Sequence, residues 1–330
     1  MRGVYSRLGI SVEPLQLDQS DLNTKRMMDL MAVGQEEGQI PLYMHTVKRI
    51  LREMRIAQQM SKTSFDYQDF KRRILSAGLT PAQLEPLKQR LDTLESFMPQ
   101  AQVLLNGSKK HQRKRGSTWE PMAGRLTIVD LSCPCISPET ACSLFNICLG
   151  IFLEQDATIG RVVALDEAHK YMNSSSEARG FTETLLSTVR LQRHLGARVI
   201  ISTQEPTVST ALLNLCSITI VHRFTSPEWL RTLQKHLAAA AATPLSSKAG
   251  TGSSSTETDE AGADQGQISV FDIIVRLRVG EALLFAPSAI VDVNVQEDGV
   301  VEFHRLGSKF LPIRVRARLT SDGGKSVLSV

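Results

Sequence analysis

The chain has 330 residues, 42% of them hydrophobic and 22% charged, with a formal net charge of +4. This composition excludes a wholly disordered chain, a collagen and a disulfide miniprotein, and the length suits one large or two ordinary domains. No apolar run reaches the roughly 20 residues a membrane helix needs; the longest, Ala141 to Leu153, is interrupted by Ser143 and Asn146. The opening MRGVYSRLGISVEP has no apolar export region. Five cysteines without an export signal suit free thiols in a reducing compartment. The expectation is an intracellular protein, nuclear or cytoplasmic, with no membrane partner.

Charge is unevenly spread. Thr46 to Arg115 holds 15 Lys and Arg against 6 Asp and Glu, a local balance of +9; Ser246 to Val300 holds 3 against 9, a balance of −6. A basic half can steer a polyanion such as nucleic acid, with an attraction that fades with salt. A solvated set of helix faces explains the same count equally well.

In chain order, residues 1–120 read as a helical segment with a basic cluster. Met44, Val47, Ile50, Leu51, Met54, Ala57 and Met60 recur at helical spacing, interleaved with Lys48, Arg49, Arg52 and Arg55. A second helix carries Phe70, Ile74 and Leu75 and stops near Gly78. Thr80-Pro81-Ala82-Gln83 then supplies an N-cap, a proline at the first helical position and a capping-box glutamine, before Leu84, Leu87, Leu91, Leu94 and Met98. From Gly124 apolar strands alternate with helices. RLTIVDLS reads as a buried strand, and Ser137-Pro138-Glu139 caps a helix through about Gln155. RVVALDEAH is a second buried strand, Glu177 to Leu195 a helix closed by Gly196, and ARVIISTQEP a third strand. A short helix over Thr210 to Leu215, a fourth strand in SITIVHRF and a helix capped by Ser226-Pro227-Glu228 follow. The alternation predicts an α/β core, 121–330, with a mainly parallel sheet. Its Ser-, Thr- and Gly-rich stretch 243–267 reads as a flexible linker, and EALLFAPSAIVDVNV as two short strands around Pro287.

One motif carries chemistry. Val162-Val163-Ala164-Leu165-Asp166-Glu167 is an apolar strand that ends in two adjacent carboxylates, a Walker B arrangement. Ligands of parallel sheets bind beyond the carboxyl ends of the strands. There Asp166 is placed to hold Mg2+ through water, and Glu167 to orient or deprotonate an attacking water. Acids also end strands simply because the chain re-enters solvent. One strand–helix–strand unit later, Ser202-Thr203-Gln204 ends ARVII, and an adjacent parallel strand would set Gln204 beside Glu167 to sense a γ-phosphate. Arg190 and Arg193, three apart on one helix face, suit transition-state charge or helix-dipole compensation; Arg223 is a weaker candidate. Asp166-Glu167-Ala168-His169 spells DEAH, but that helicase group needs a second domain that does not follow. The loop G-x-x-x-x-G-K-[ST], whose backbone and lysine cradle phosphates, is spelled nowhere in the 330 residues; Gly324-Lys325-Ser326 fails because position 319 is leucine. Cys133, Cys135, Cys142 and Cys148 lack a zinc spacing, and the last two read as core. The run Lys109 to Arg115 is a nuclear-import or phosphate-binding cluster, or a plain solvated loop.

VVALDEAHKYM, VRLQRHLGARVIISTQEP, LLNLCSITIVHRFTSPEWLR and VRLRVGEALLFAPSAIV, in that order over roughly Gly124 to Val293, resemble the HerA-type branch of the HerA/FtsK-like P-loop ATPases, fungal HerA-like proteins among them. The resemblance implies a RecA-like P-loop core and hexameric rings that hydrolyse ATP with Mg2+ and move along duplex DNA. It casts Asp166 as the Mg2+-side acid, Glu167 as the catalytic glutamate, Gln204 as the sensor, and Arg190 and Arg193 as trans-acting arginines. Gln204-Glu205-Pro206 stands where HerA proteins often carry Gln-Arg-Pro, so that arginine's role does not transfer. In the family the nucleotide loop precedes the helical segment; its absence here implies a core without its first P-loop strand. The expectation is impaired hydrolysis, or else a non-catalytic, degenerate ATPase that joins or regulates a ring.

Overall fold

The computed structural model of the chain describes residues 5–31, 43–103, 116–120, 122–155, 158–172, 175–237, 269–295 and 301–317. The basic run 109–115, the linker 243–267 and Gly324-Lys325-Ser326 lie outside them. The chain divides into two units, Met1–Thr203 and Gln204–Leu328.

The first unit begins with helices. These are α1 (Thr24–Met31), α2 (Tyr43–Ser61), α3 (Tyr67–Leu75), α4 (Pro81–Ser96) and α5 (Gln100–Val103). Met44, Val47, Ile50, Leu51 and Met54 of α2 are buried, as their spacing predicts. The stripe stops there, because Met60 is 84% exposed. Asp66 caps α3 by accepting the Asp69 N–H, and Gln83 Oε1 accepts the Thr80 N–H at the start of α4. Leu87, Leu91, Leu94 and Met98 join the same core as α1–α3.

Helix α6 (Pro138–Glu154) ties these helices to the strands. Ser137 Oγ accepts the Thr140 N–H at 3.2 Å, the predicted cap. Leu144, Ile147 and Ile151 enter the helical core, and Cys142, Cys148 and Leu149 are buried as well, so α6 is apolar on more than one side. Strand β1 (Arg161–Leu165) then pairs in parallel with β2 (Ala197–Ile201), Val163 opposite Val199, across helix α7 (Ser176–Arg190). Gly196 takes the left-handed φ of +57° that closes the turn after α7.

Three expectations change. RLTIVDLS forms no strand; Leu126 and Ile128 are 82% and 73% exposed. β1 and β2 are not buried on both faces, since Val162 and Ile200 are 60% and 58% exposed. The sheet is not mainly parallel: β1–β2 is the one parallel pair among the described residues, and the fold is mixed α/β with three small sheets. The fourth expected strand, β3 (Thr219–Val221), belongs to the second unit and pairs antiparallel with β4 (Glu281–Phe285), because strand direction is set by a partner about sixty residues away in sequence and not by its own pattern.

In the second unit, α8 (Thr210–Leu215), α9 (Pro227–His236) and α10 (Val270–Arg276) accompany β3 and β4. Val221, Leu233, Ile274, Leu277, Leu283 and Phe285 form its core. β5 (Ile290–Val295) and β6 (Val301–Arg305) form a hairpin, and β7 (Leu311–Arg314) adds to β4. Val293 opposite Phe303 and Val295 opposite Val301 share one hairpin face, with Asn294 and Glu302 on the other. No helix among the described residues is long and apolar enough to cross a membrane.

Two buried arginines hold the α6 terminus. Arg161 Nη1 donates to Leu153 O at 2.6 Å and Nη2 to Gln155 O, satisfying carbonyls that a helix end leaves without partners. Arg26 reaches Asp21 O and lies 2.7 Å from Glu154 Oε2. Arg161→Ala is expected to cost about 2 kcal/mol, since two half-buried carbonyls lose charged donors. Urea denaturation measures this; an unchanged midpoint excludes the role.

Candidate functional site

The site is the turn that follows β1. Parallel pairing carries the chain beyond Leu165 alongside Ser202. The Ser202 N–H donates to Leu165 O, and the Ala168 N–H donates back to Ser202 O at 2.9 Å. Between these two bonds stand Asp166 and Glu167. The Glu167 N–H donates to Asp166 Oδ1 at 3.0 Å, and the short turn Ala168–Lys170 follows.

Glu167 has φ 52° and ψ 43°, a left-handed conformation that costs a residue with a Cβ of the order of 1 kcal/mol. The neighbours that impose it are identifiable. Tyr171 donates its hydroxyl to Asp166 O, and its ring lies 5.1 Å from Phe145 of α6 and 6.1 Å from Phe181 of α7. Burial first, then the Asp166 and Glu167 carboxylates, push the Tyr171 hydroxyl up to about 12, so it remains a donor at neutral pH. Glu167 Oε2 has His169 Nε2 at 3.5 Å and Lys170 Nζ at 3.9 Å. One carboxylate is thus exposed, and the other is half-buried beside two basic groups.

Asp166 is the residue that could hold a magnesium ion. One of its oxygens takes the Glu167 N–H, and the other is the donor that a hard cation would use, with water and phosphate oxygens completing its shell. No group of three or more His, Cys, Asp or Glu able to hold a metal by itself occurs among the described residues. Cys142 and Cys148 are core, as their sequence context predicts; burial pushes their thiols up to about 11 and about 12.

The remaining site candidates are placed as follows. Arg190 is the last residue of α7, but Arg193 lies in the turn after it, so the two do not share a helix face; the helix stops at Arg190 instead of running to Leu195. In that turn the His194 and Leu195 N–H groups both donate to Leu191 O. Both arginines are exposed. Gln204 opens the second unit, where its carbonyl accepts the Trp229 indole N–H at 3.0 Å; Arg223 follows β3. The clamp of Phe145, Tyr171 and Phe181 around the turn has almost no signature in the sequence. Only Tyr171, five residues from Asp166, carried a local signal.

No family description and no curated protein matches the chain. Among solved structures it is similar to the genome packaging NTPase B204 from Sulfolobus turreted icosahedral virus 2. The AMP complex is 15% identical over 49% of this chain and 61% of that one, with a TM-score of 0.28. The ATP-gammaS complex is 14% identical over 49% of this chain and 60% of that one, at the same score. The chain therefore spans about three-fifths of the length of the structures it matches. A likeness at that score bears on neither the site nor its chemistry.

Because Gly alone adopts the left-handed region without cost, Glu167→Gly is expected to stabilise the protein by about 1 kcal/mol. Thermal or urea unfolding checks this. A loss of stability instead would mean that the Glu167 side chain, not the clamp around it, holds the turn.

Proposed function

We propose that the first unit is a nucleoside triphosphate site of the HerA-like type, with ATP as ligand and the Asp166–Glu167 turn as its hydrolytic corner. The observation that carries this reading is the strained Glu167, the second of two carboxylates that directly follow β1. Backbone strain of this kind persists where the surroundings over-determine it, and it clusters at functional sites.

In this reading Asp166 holds the magnesium ion through water. Magnesium, when bound, neutralises charge building on the phosphates. Glu167 orients or deprotonates the attacking water, and the basic groups of His169 and Lys170 beside it keep its carboxylate in place. The sensor role that the sequence resemblance implies for Gln204 is not part of this first-unit reading, because Gln204 opens the second unit. Arg190 at the end of α7 and Arg193 in the turn after it, both exposed, act in trans on a neighbouring copy's nucleotide in a hexameric ring.

Phosphoryl transfer depends almost wholly on positioning and electrostatics. The 330 residues spell no G-x-x-x-x-G-K-[ST], so weak hydrolysis at most is expected of this chain alone. That same observation favours the second reading, a non-catalytic member of a ring assembly.

Titration with a fluorescent ATP analogue separates these possibilities. Binding should require Mg2+, and Asp166→Asn should remove that requirement together with most of the affinity. Equal binding by Asp166→Asn defeats the site assignment. Rapid Mg-ATP turnover that disappears in Glu167→Gln defeats the expectation of weak hydrolysis and leaves an active enzyme.

Duplex DNA is the proposed track. On α2 the side chains of Lys48, Arg52 and Arg55 are exposed opposite the buried stripe, whereas Arg49 is engaged with Glu53 at 3.0 Å. Each phosphate contact contributes about 0.9 to the slope of log affinity against log salt. Replacing all three by glutamine is expected to flatten that slope by about 3 and to weaken duplex binding at low salt. Binding that ignores salt, or that survives the triple substitution unchanged, removes α2 from the interface.

A further inference from the structure

The first unit contains a cleft of about 890 Å³, walled by residues 125–138 on one side and by β1 and α6 on the other. Its walls are mostly apolar and include Phe145, Phe152 and Phe181. Leu126, Ile128 and Val162 all line it while remaining more than half exposed. Solitary exposed apolar residues need no explanation, but several gathered along one groove do.

The backbone on both sides is as informative as the side chains. Arg161 N–H donates to Gly196 O and Leu165 O accepts from Ser202 N–H, so residues 161, 163 and 165 direct their peptide groups at β2. Peptide groups alternate along a strand, so those of Val162 and Ala164 face the other way, at the outer edge of β1. β1 has no second neighbour among the described residues. Across the cleft, residues 126–131 make no backbone–backbone hydrogen bond among the described residues. Trp119, which also lines the cleft, has a buried indole N–H with no acceptor there. Unpaired strand edges are templates for another strand.

Charge narrows the guest. The cleft is lined by the acids Asp130, Asp166 and Glu167 against the bases Arg125 and Lys170. A cationic flank on the guest therefore suits it better than an acidic one.

We propose that this cleft is a strand-acceptor groove for a partner polypeptide: an extended segment, apolar at alternate positions and flanked by lysine or arginine, hydrogen-bonds to Val162 and Ala164. Main-chain bonds supply affinity in such strand addition, and the side-chain pockets supply selectivity. The inference stands on the cleft alone and not on the nucleotide reading, although the two share Asp166 and Glu167.

The test uses the full chain carrying Trp229→Phe, which leaves Trp119 as the sole tryptophan of the two in the sequence. The probe is a synthetic Lys-Val-Thr-Val-Thr-Val-Lys peptide, added without nucleotide or Mg2+, with Trp119 emission as readout. Saturable binding is expected, weakened about tenfold or more by Ile128→Asp, and by N-methylation of alternate peptide nitrogens, which deletes the ladder bonds. Circular dichroism and unfolding midpoints confirm that the variant is folded; Leu126→Asp serves if Ile128→Asp is not.

Three results overturn the proposal. Absence of peptide binding does so directly. Equal binding of the N-methylated peptide shows a groove that reads apolar groups without adding a strand. Hydrogen-exchange protection of residues 126–131 in the free chain shows that this segment itself pairs with β1. Because the assay contains no nucleotide, its failure leaves the ATP proposal standing, and failure of ATP binding leaves this one.

Discussion

The structure depends on how the end of α6 is held. A helix terminus leaves carbonyls without partners, and in a buried setting that is costly. Here Arg161, the first residue of β1, donates to Leu153 O and Gln155 O, so the satisfied helix end also fixes where the strand begins. Arg26 adds a second cation from α1. Gly150 leaves room for that side chain: a Cβ there would lie 3.3 Å from Arg26 Nη2. The helical assembly, α6 and the parallel pair are therefore one mechanical unit. The turn carrying Asp166 and Glu167 inherits its position from it.

What that position supplies is a pair of carboxylates in different surroundings. Asp166 is open to solvent and shares an oxygen with the next peptide N–H. Glu167 is half-buried near His169 and Lys170, in a backbone conformation that its own chemistry disfavours. The rings of Phe145, Tyr171 and Phe181 come from two helices and the turn itself, so the conformation is imposed by packing and not by a single contact. The proposed site rests on this division, with one carboxylate turned toward a cation and the other toward a water.

How much of this could be read from the sequence depended on the range of the forces involved. Ser137 and Ser226 cap their helices where local chemistry demands it, and the apolar stripe from Met44 to Met54 is buried as its period requires. The strand before Asp166 and its neighbour before Ser202 were legible because both are apolar runs followed by polar turns. RLTIVDLS has the same texture yet pairs with nothing among the described residues, since strand formation needs a partner edge that texture does not specify. The direction of β3 and the strands β6 and β7 were illegible for the same reason. Arg193 left the helix face because α7 ends at Arg190, and helix ends are set by competing local bonds finer than periodicity resolves. At the site, the carboxylates announced themselves, whereas the aromatic clamp did not: Phe145, Tyr171 and Phe181 are far apart in sequence and meet only in the fold.

The β5–β6 hairpin has a practical bearing. Val293, Val295, Val301 and Phe303 are 46%, 70%, 45% and 53% exposed on one face, and a two-stranded hairpin is marginal in water by itself. At the concentrations used for purification or crystallisation, this ribbon is one place where molecules would adhere to one another, and its edges would recruit further strands. Solubilising substitutions belong at Val293 and Phe303, which face each other across the ribbon. Detergent or arginine in the buffer would act on the same face without altering the chain.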